Sequence, residues 1–225
     1  MEDNAFGVWI WHSNDVRVLN NRIRGDARYA SQDRGDGIRL FNVDTGLFSH
    51  NTVWDTRDGI YVDTSRDLEF SFNRFHDLRY GIHYMFAHHG RIIGNHTTRT
   101  RSGYALMMSR DLVVEGNTSS NDMNYGILLN FITYSTITNN MVSGVTGWSG
   151  PVKMEHGVVL GAEGKAVFIY NSLHNTISGN TFADSEIGIH LTAGSEFNEI
   201  HGNSFMRNRF QVKYVASRQQ EWSHD

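Results

Sequence analysis

Apolar residues along this chain fall in short alternating runs, and the runs recur at a nearly constant interval. Each opens on a glycine followed by an apolar residue: Gly7-Val8, Gly37-Ile38, Gly59-Ile60, Gly81-Ile82, Gly103-Tyr104, Gly126-Ile127, Gly157-Val158 and Gly188-Ile189. From Gly37 to Gly126 the spacing is 22, 22, 22 and 23 residues, and the flanking intervals of 30 or 31 read as the same unit carrying a loop. Positions one and three after each glycine are apolar (Ile38/Leu40, Ile60/Val62, Ile82/Tyr84, Tyr104/Leu106, Ile127/Leu129, Val158/Leu160, Ile189/Leu191), a period of two that predicts a strand. A second apolar column (Val18, Phe48, Phe70, Ile92, Val114, Ile137) and a third (Ile23, Val53, Phe75, Thr97, Ser119, Val142, Phe182, Phe205) give three strands per unit. A unit of this length cannot bury a face alone, so stability must come from stacking like units. The predicted fold is all-β: a single-stranded, right-handed parallel β-helix of about 22 residues per coil.

An asparagine column reinforces the repeat. Asn21, Asn51, Asn73, Asn95, Asn117 and Asn140 each lie 14 residues after their glycine, and Asn180 and Asn203 continue the series. Stacked amides at a bend are expected to form an internal ladder. Burial of Asn95 and Asn117 would remove Asn95-His96-Thr97 and Asn117-Thr118-Ser119 as glycosylation sites. The solenoid is expected over 1–216, with loops near 28–34, 143–155 and 161–168, and a tail over 217–225 that leaves it. Eight or nine coils at strand spacing make a rod on the order of 40 Å long. The first coil begins within a few residues of Met1 with no leader-like segment, so the chain reads as the interior and C-terminal part of a longer solenoid.

Composition narrows the chemistry. Lys plus Arg number 20 and Asp plus Glu 24, a net charge of −4 that suggests neither a nucleic-acid binder nor an acidic tail. No cysteine is present, which removes disulfides and thiolate metal sites, whereas 12 His and 8 Met are many for this length.

The columns then place the donors. Residues two and four after each glycine point away from the lumen, and there Met85 and Met107 should be direct neighbours, with His83 on the strand and face of Met85. Thioether and imidazole form a soft donor set suited to Cu(I). Met108, His88 and His89 follow at turns, and Met123 with Met154 forms a secondary candidate pair. The plainer reading is that methionines fill an irregular apolar surface and that His88-His89 is a solvated turn. His190 and His201 read as structural. Trp9, Trp11, Phe41 and Tyr61 make an aromatic patch suited to docking, to sugar stacking, or to cover by preceding coils. Many β-helices act on acidic polysaccharides, which needs clustered carboxylates with a basic residue on one face. Asp36-Gly37 and Asp58-Gly59 could stack, with Asp63 near. No Asp-Pro-His run and no Asp-Asp followed by Arg or Lys at strand spacing accompanies them, so they read as turn residues and no catalysis is expected.

Several runs are more specific than a generic repeat. Gly81-Ile82-His83-Tyr84-Met85, Gly103-Tyr104-Ala105-Leu106-Met107, Val167-Phe168-Ile169-Tyr170-Asn171, Gly188-Ile189-His190-Leu191-Thr192-Ala193-Gly194-Ser195, Gln211-Val212-Lys213-Tyr214-Val215 and Glu221-Trp222-Ser223 resemble the NosD family in order and spacing. The resemblance implies a periplasmic, non-enzymatic β-helix that works with the ABC-transporter subunits NosF and NosY and the copper chaperone NosL. It also implies a part in building the copper-sulfide centre of nitrous oxide reductase, with transient Cu(I) binding. The alternative from the residues alone is a polysaccharide-binding or -modifying β-helix.

Overall fold

The computed structural model describes residues 6–147, 164–192, 194–215 and the backbone of 220–223. It is a parallel β-helix. Strands opened by the repeat glycines stack in register, Ile38 beside Ile60, Ile60 beside Ile82 and Ile82 beside Tyr104. A separate sheet of eight short strands runs from Arg22–Arg24 to Ser204–Met206. Its seven steps at strand spacing span about 34 Å. The two remaining stacks join through the twelve-residue strands Val8–Leu19 and Ile38–Ser49.

The three apolar columns form the lumen. From Ile38 to Leu191, the described first-column residues are fully buried, as are Phe48, Phe70, Ile92, Val114 and Ile137 of the second. The repeat glycines are demanded by close approach between coils: a Cβ on Gly59 would lie 2.5 Å from the Gly81 carbonyl oxygen and 2.4 Å from the Phe75 ring. Thr97 and Ser119 interrupt the third column because they serve a buried acid. Both hydroxyls donate to Asp122 Oδ2 at 2.7 Å, and Thr100 donates to Oδ1 through its amide and its hydroxyl.

The asparagine ladder is continuous from Asn21 to Asn203. Asn51, for example, donates from its backbone N–H and its amide to Asn73 Oδ1, at 2.9 and 3.0 Å. Asn73 repeats this on Asn95, and its amide also donates to the Phe48 carbonyl at 2.8 Å. Each step satisfies polar groups that would otherwise be buried unpaired. Asn95 and Asn117 are buried, so neither presents a glycosylation acceptor. A second, shorter ladder links Asn175 to Asn198.

Three boundaries differ from the sequence expectation. The coil after Gly126 is opened by Ala166, since Ile127 partners Val167 and Tyr125 partners Lys165. The glycine signal fails there because alanine occupies the register position, and Ala166 to Asn180 restores the 14-residue interval. Strand Lys165–Tyr170 therefore starts inside the stretch expected as the 161–168 loop. Gly157, Val158, Leu160 and Gly161, and most of the 143–155 loop, lie outside the described residues. Finally, Gln220–Ser223 returns as a strand parallel to Asn198–His201, within the tail expected to leave the solenoid. Backbone pairing on an open strand edge needs no repeat pattern in the sequence.

The chain turns its corners through single left-handed residues, several of them bulky. Phe72, Phe86, Phe131, Tyr134 and Phe197 hold φ between 47° and 58°, and all five are exposed. The strained backbone thus places large rings on the outside of the rod.

Candidate functional site

Met85 and Met107 are register partners on the parallel strands Tyr80–Met85 and Ser102–Arg110. Both are half-buried. Their column continues to Asp63 on one side and Asn130 on the other. Two residues back along the strands, His83 partners Ala105, and Ala105 partners Leu128. Ala105, whose side chain is a single methyl, is fully buried in the register between His83 and Leu128.

The outward face is more enclosed than the alternation suggests. His83 is only 7% exposed, and Ala105, Leu128 and His190 of the same column are buried too. Alternation decides which side of a strand a residue faces, but not what stands over it. Here Tyr61 and Tyr80 present their rings edge-on to the imidazole, with centroids 4.9 and 5.0 Å away.

Beneath them lies a buried ionic network that the sequence reading missed. Asp36 and Asp58 are not turn residues at the surface; both are fully buried. Arg57 donates to both oxygens of Asp36 at 3.0 Å, and Arg39 adds a third bond at 3.1 Å. Arg79 donates to Asp58 through Nε at 2.8 Å and Nη2 at 2.6 Å. His83 Nδ1 lies 3.0 Å from Asp58 Oδ2. Arg57 and Arg79 come from the next coil, 21 residues on from the carboxylates they clamp, so the pairing is not visible along one strand. Burial, followed by the charge of Asp58, holds the Asp36 carboxyl above its ordinary range despite its arginines. Burial also acts upward on Asp58, but hydrogen bonds from Arg79 and His83 outweigh it and hold that carboxyl below the ordinary value.

The other candidates lie elsewhere on the coil. His88 sits beyond the bend at Phe86-Ala87, in bridge register with Arg66 and Arg110, and burial lowers its pKa. His89 is exposed between Asp67 (3.4 Å) and Asp111 (3.5 Å), which engage its two ring nitrogens. Met108 is an exposed corner residue next to Met107. Met123 is half-buried, and on the next coil its carbonyl accepts from Gly147; Met154 lies outside the described residues. Among the aromatics, Trp9 and Trp11 are exposed, and Arg39 stacks between Trp9 (5.7 Å) and Tyr61 (4.7 Å).

Among the described residues no three His, Asp or Glu side chains are placed to share a metal ion. The soft donors on this face are the two register-paired thioethers, with the His83 imidazole two residues back along the strand of Met85. His83 Nε2 is buried with no hydrogen-bond partner. That donor set fits a soft monovalent metal.

The molecule is thus a parallel β-helix protein with paired thioethers and an oriented imidazole on one face. The chain belongs to the NosD family, described as periplasmic copper-binding proteins, which it matches over residues 19–225. Two relatives are each called a probable ABC transporter binding protein NosD. That of Stutzerimonas stutzeri is 56% identical over 226 residues, covering 100% of this chain and 51% of the relative. That of Pseudomonas aeruginosa is 59% identical over 221 residues, covering 98% and 51%. The chain therefore spans about half the length of these relatives, which are named as binding proteins and not as enzymes. Solved structures share the fold at low identity. The periplasmic alginate epimerase AlgG superposes with a TM-score of 0.67 at 15% identity, covering 86% of this chain and 45% of that one. The A-module of the Azotobacter vinelandii mannuronan C-5 epimerase AlgE4 gives 0.58 at 14%, covering 94% and 64%. Among the described residues no helix is long and apolar enough to cross a membrane.

Proposed function

We propose that this chain is the copper-handling and docking part of a periplasmic subunit that helps assemble the copper-sulfide centre of nitrous oxide reductase. In this reading it works beside an ABC transporter (NosF and NosY) and exchanges copper with the chaperone NosL. The observation that carries it is the register pairing of Met85 with Met107 beside His83, whose Nε2 has no other partner. Thioethers bind Cu(I) and discriminate against hard cations. Copper here is cargo. A donor set of two sulfurs and one nitrogen, without thiolate, suits retention that another site can reverse. Phe86, Met108 and Phe131 flank the pair as an exposed apolar ridge, the kind of surface that meets a partner protein.

The test is a competition titration of Cu(I) against a chelator, comparing wild type with Met85→Leu/Met107→Leu. Leucine keeps the apolar bulk and removes sulfur. The reading expects stoichiometric binding in wild type, weakened at least about tenfold in the double variant. Equal affinity in both proteins rejects the site.

A second reading draws on Arg39, Tyr61 and Trp9, a cation between aromatic rings on the N-terminal coils that suits an acidic sugar. Retardation of the chain in an alginate or pectin gel would favour it.

A further inference from the structure

We infer that Asp58, held in place by Arg79, is the positioning residue that fixes the tautomer and direction of His83, so that Nε2 presents its lone pair to a soft metal. This rests on the copper reading above for the metal, but the orientation stands on this chain's own geometry. Asp58 Oδ2 lies 3.0 Å from His83 Nδ1, and an ionised carboxylate can only accept. A proton must therefore sit on Nδ1, or two sets of lone pairs would face each other. Arg79 Nη2 also lies 3.4 Å from Nδ1, but a guanidinium can only donate, and its better bonds run to Asp58 at 2.6 and 2.8 Å.

The carboxylate is itself immobilised. Asp58 is fully buried, both its oxygens are taken by Arg79, and the Arg79 guanidinium lies 4.6 Å from the centre of the Tyr80 ring. Tyr80 and Tyr61 in turn meet the imidazole edge-on. The ring can neither swing nor flip without losing the Asp58 bond inside a closed site. Its two nitrogens point in roughly opposite directions, and Asp58 lies on the preceding coil, at the first residue of its strand. Nε2 is consequently turned away from that coil. In the neutral ring it is an acceptor, and it has no donor to meet. An acceptor buried in this way and left unpaired costs stability unless a ligand completes it. Carboxylate–histidine–metal arrangements orient ligands by this same linkage.

The first experiment needs no metal. Long-range ¹H–¹⁵N spectra of the histidine-labelled chain, recorded at about pH 8.5, well above the ordinary imidazole pKa of about 6.5, report each tautomer. A His83→Gln spectrum assigns the signal. The expected result is a single Nδ1–H tautomer for His83 in wild type, and finding Nε2–H there overturns the inference. In Asp58→Asn the amide can donate as well as accept, so the preference should be lost and both tautomers seen. An unchanged single tautomer in that variant overturns the role of Asp58. If Asp58→Asn does not fold, the wild-type spectrum still decides the tautomer, and Arg79→Lys tests the support of the carboxylate.

The second experiment is the Cu(I) competition titration with Asp58→Asn, where affinity should fall about 10- to 100-fold. The Met85→Leu/Met107→Leu variant should lower Cu(I) affinity while leaving the His83 tautomer unchanged. A tautomer that responds to Asp58→Asn without any change in copper affinity overturns the metal part at His83, yet leaves the methionine pair to be judged by its own titration.

Discussion

His83 and Ala105 are register partners on adjacent coils, so the imidazole stands beside a position that carries only a methyl group. Enlarging that side chain tests the site beside the imidazole without touching a donor atom. Ala105→Leu should weaken Cu(I) binding at least tenfold, an estimated loss of about 1.4 kcal/mol or more. Overpacking should cost about 1–3 kcal/mol of stability. Circular dichroism and a chelator titration on the same sample separate the two effects. Unaltered affinity in a folded variant would place the metal away from Ala105.

The asparagine ladder should be cooperative. Asn95→Ala deprives the Asn73 N–H and amide of their shared acceptor, and removes the amide that donates to Asn117 Oδ1 and to the Phe70 carbonyl. Several buried bonds at about 1 kcal/mol each predict a loss on the order of 3 kcal/mol. Urea unfolding monitored by circular dichroism measures it. A loss no larger than that of an exposed Thr136→Ala control would show that the ladder adds little.

Two buried tyrosines should respond in opposite directions. Tyr104 Oη lies 2.9 Å from the carbonyls of both Asn95 and Thr118, whereas Tyr84 Oη is buried against Gly90 with no hydrogen-bond partner. Burial raises the pKa of both phenols. Tyr84→Phe should therefore be neutral or stabilising by about 1 kcal/mol, and Tyr104→Phe destabilising by a similar amount. Paired melting curves check this, and a destabilised Tyr84→Phe contradicts it.

The two buried aspartates should give opposite pH signatures. Asp58 has a folded pKa below the ordinary value of 3.8, so its contribution is full above that value and is lost as pH falls through the lower folded one. The deficit of Asp58→Asn relative to wild type, on the order of 3 kcal/mol near neutrality, should shrink toward about pH 3. Asp36 is raised, so its protonated form is favoured in the folded state, and the stability it lends at low pH fades as pH rises through 3.8 to the higher folded value. Asp36→Asn, which mimics that neutral form, should gain on wild type over the same rise. Denaturant midpoints across the pH range would refute the assignment if both variants moved in the same direction.

Much of the architecture was legible before any coordinates. Period-two columns at a 22-residue interval have few physical solutions, because each coil must bury its aliphatic residues against the next. The ladder was legible for the same reason, since an asparagine recurring at a fixed distance from a glycine must meet its neighbours. The Met85–Met107 pairing followed from register alone. Ala166 was not legible, because the pair Gly157-Val158 imitates the repeat in sequence while alanine stands at the register position. Nor were the asparagines at 175 and 198, which form a column only two coils long.

The sequence by itself determined what repeats: the stacking of coils, the lumen residues, the asparagine column and the adjacency of two thioethers on one outer face. Only the tertiary structure decided what stands over that face. Burial of His83, its bond to Asp58, and the clamp of Arg79 on that carboxylate join residues on neighbouring coils, 21 and 25 positions apart. Periodicity carries information about side chains that recur in one column. The Arg57–Asp36 and Arg79–Asp58 pairs recur at one 21-residue offset but join different columns, and the bond of His83 to Asp58 is added by side-chain geometry that no repeat encodes.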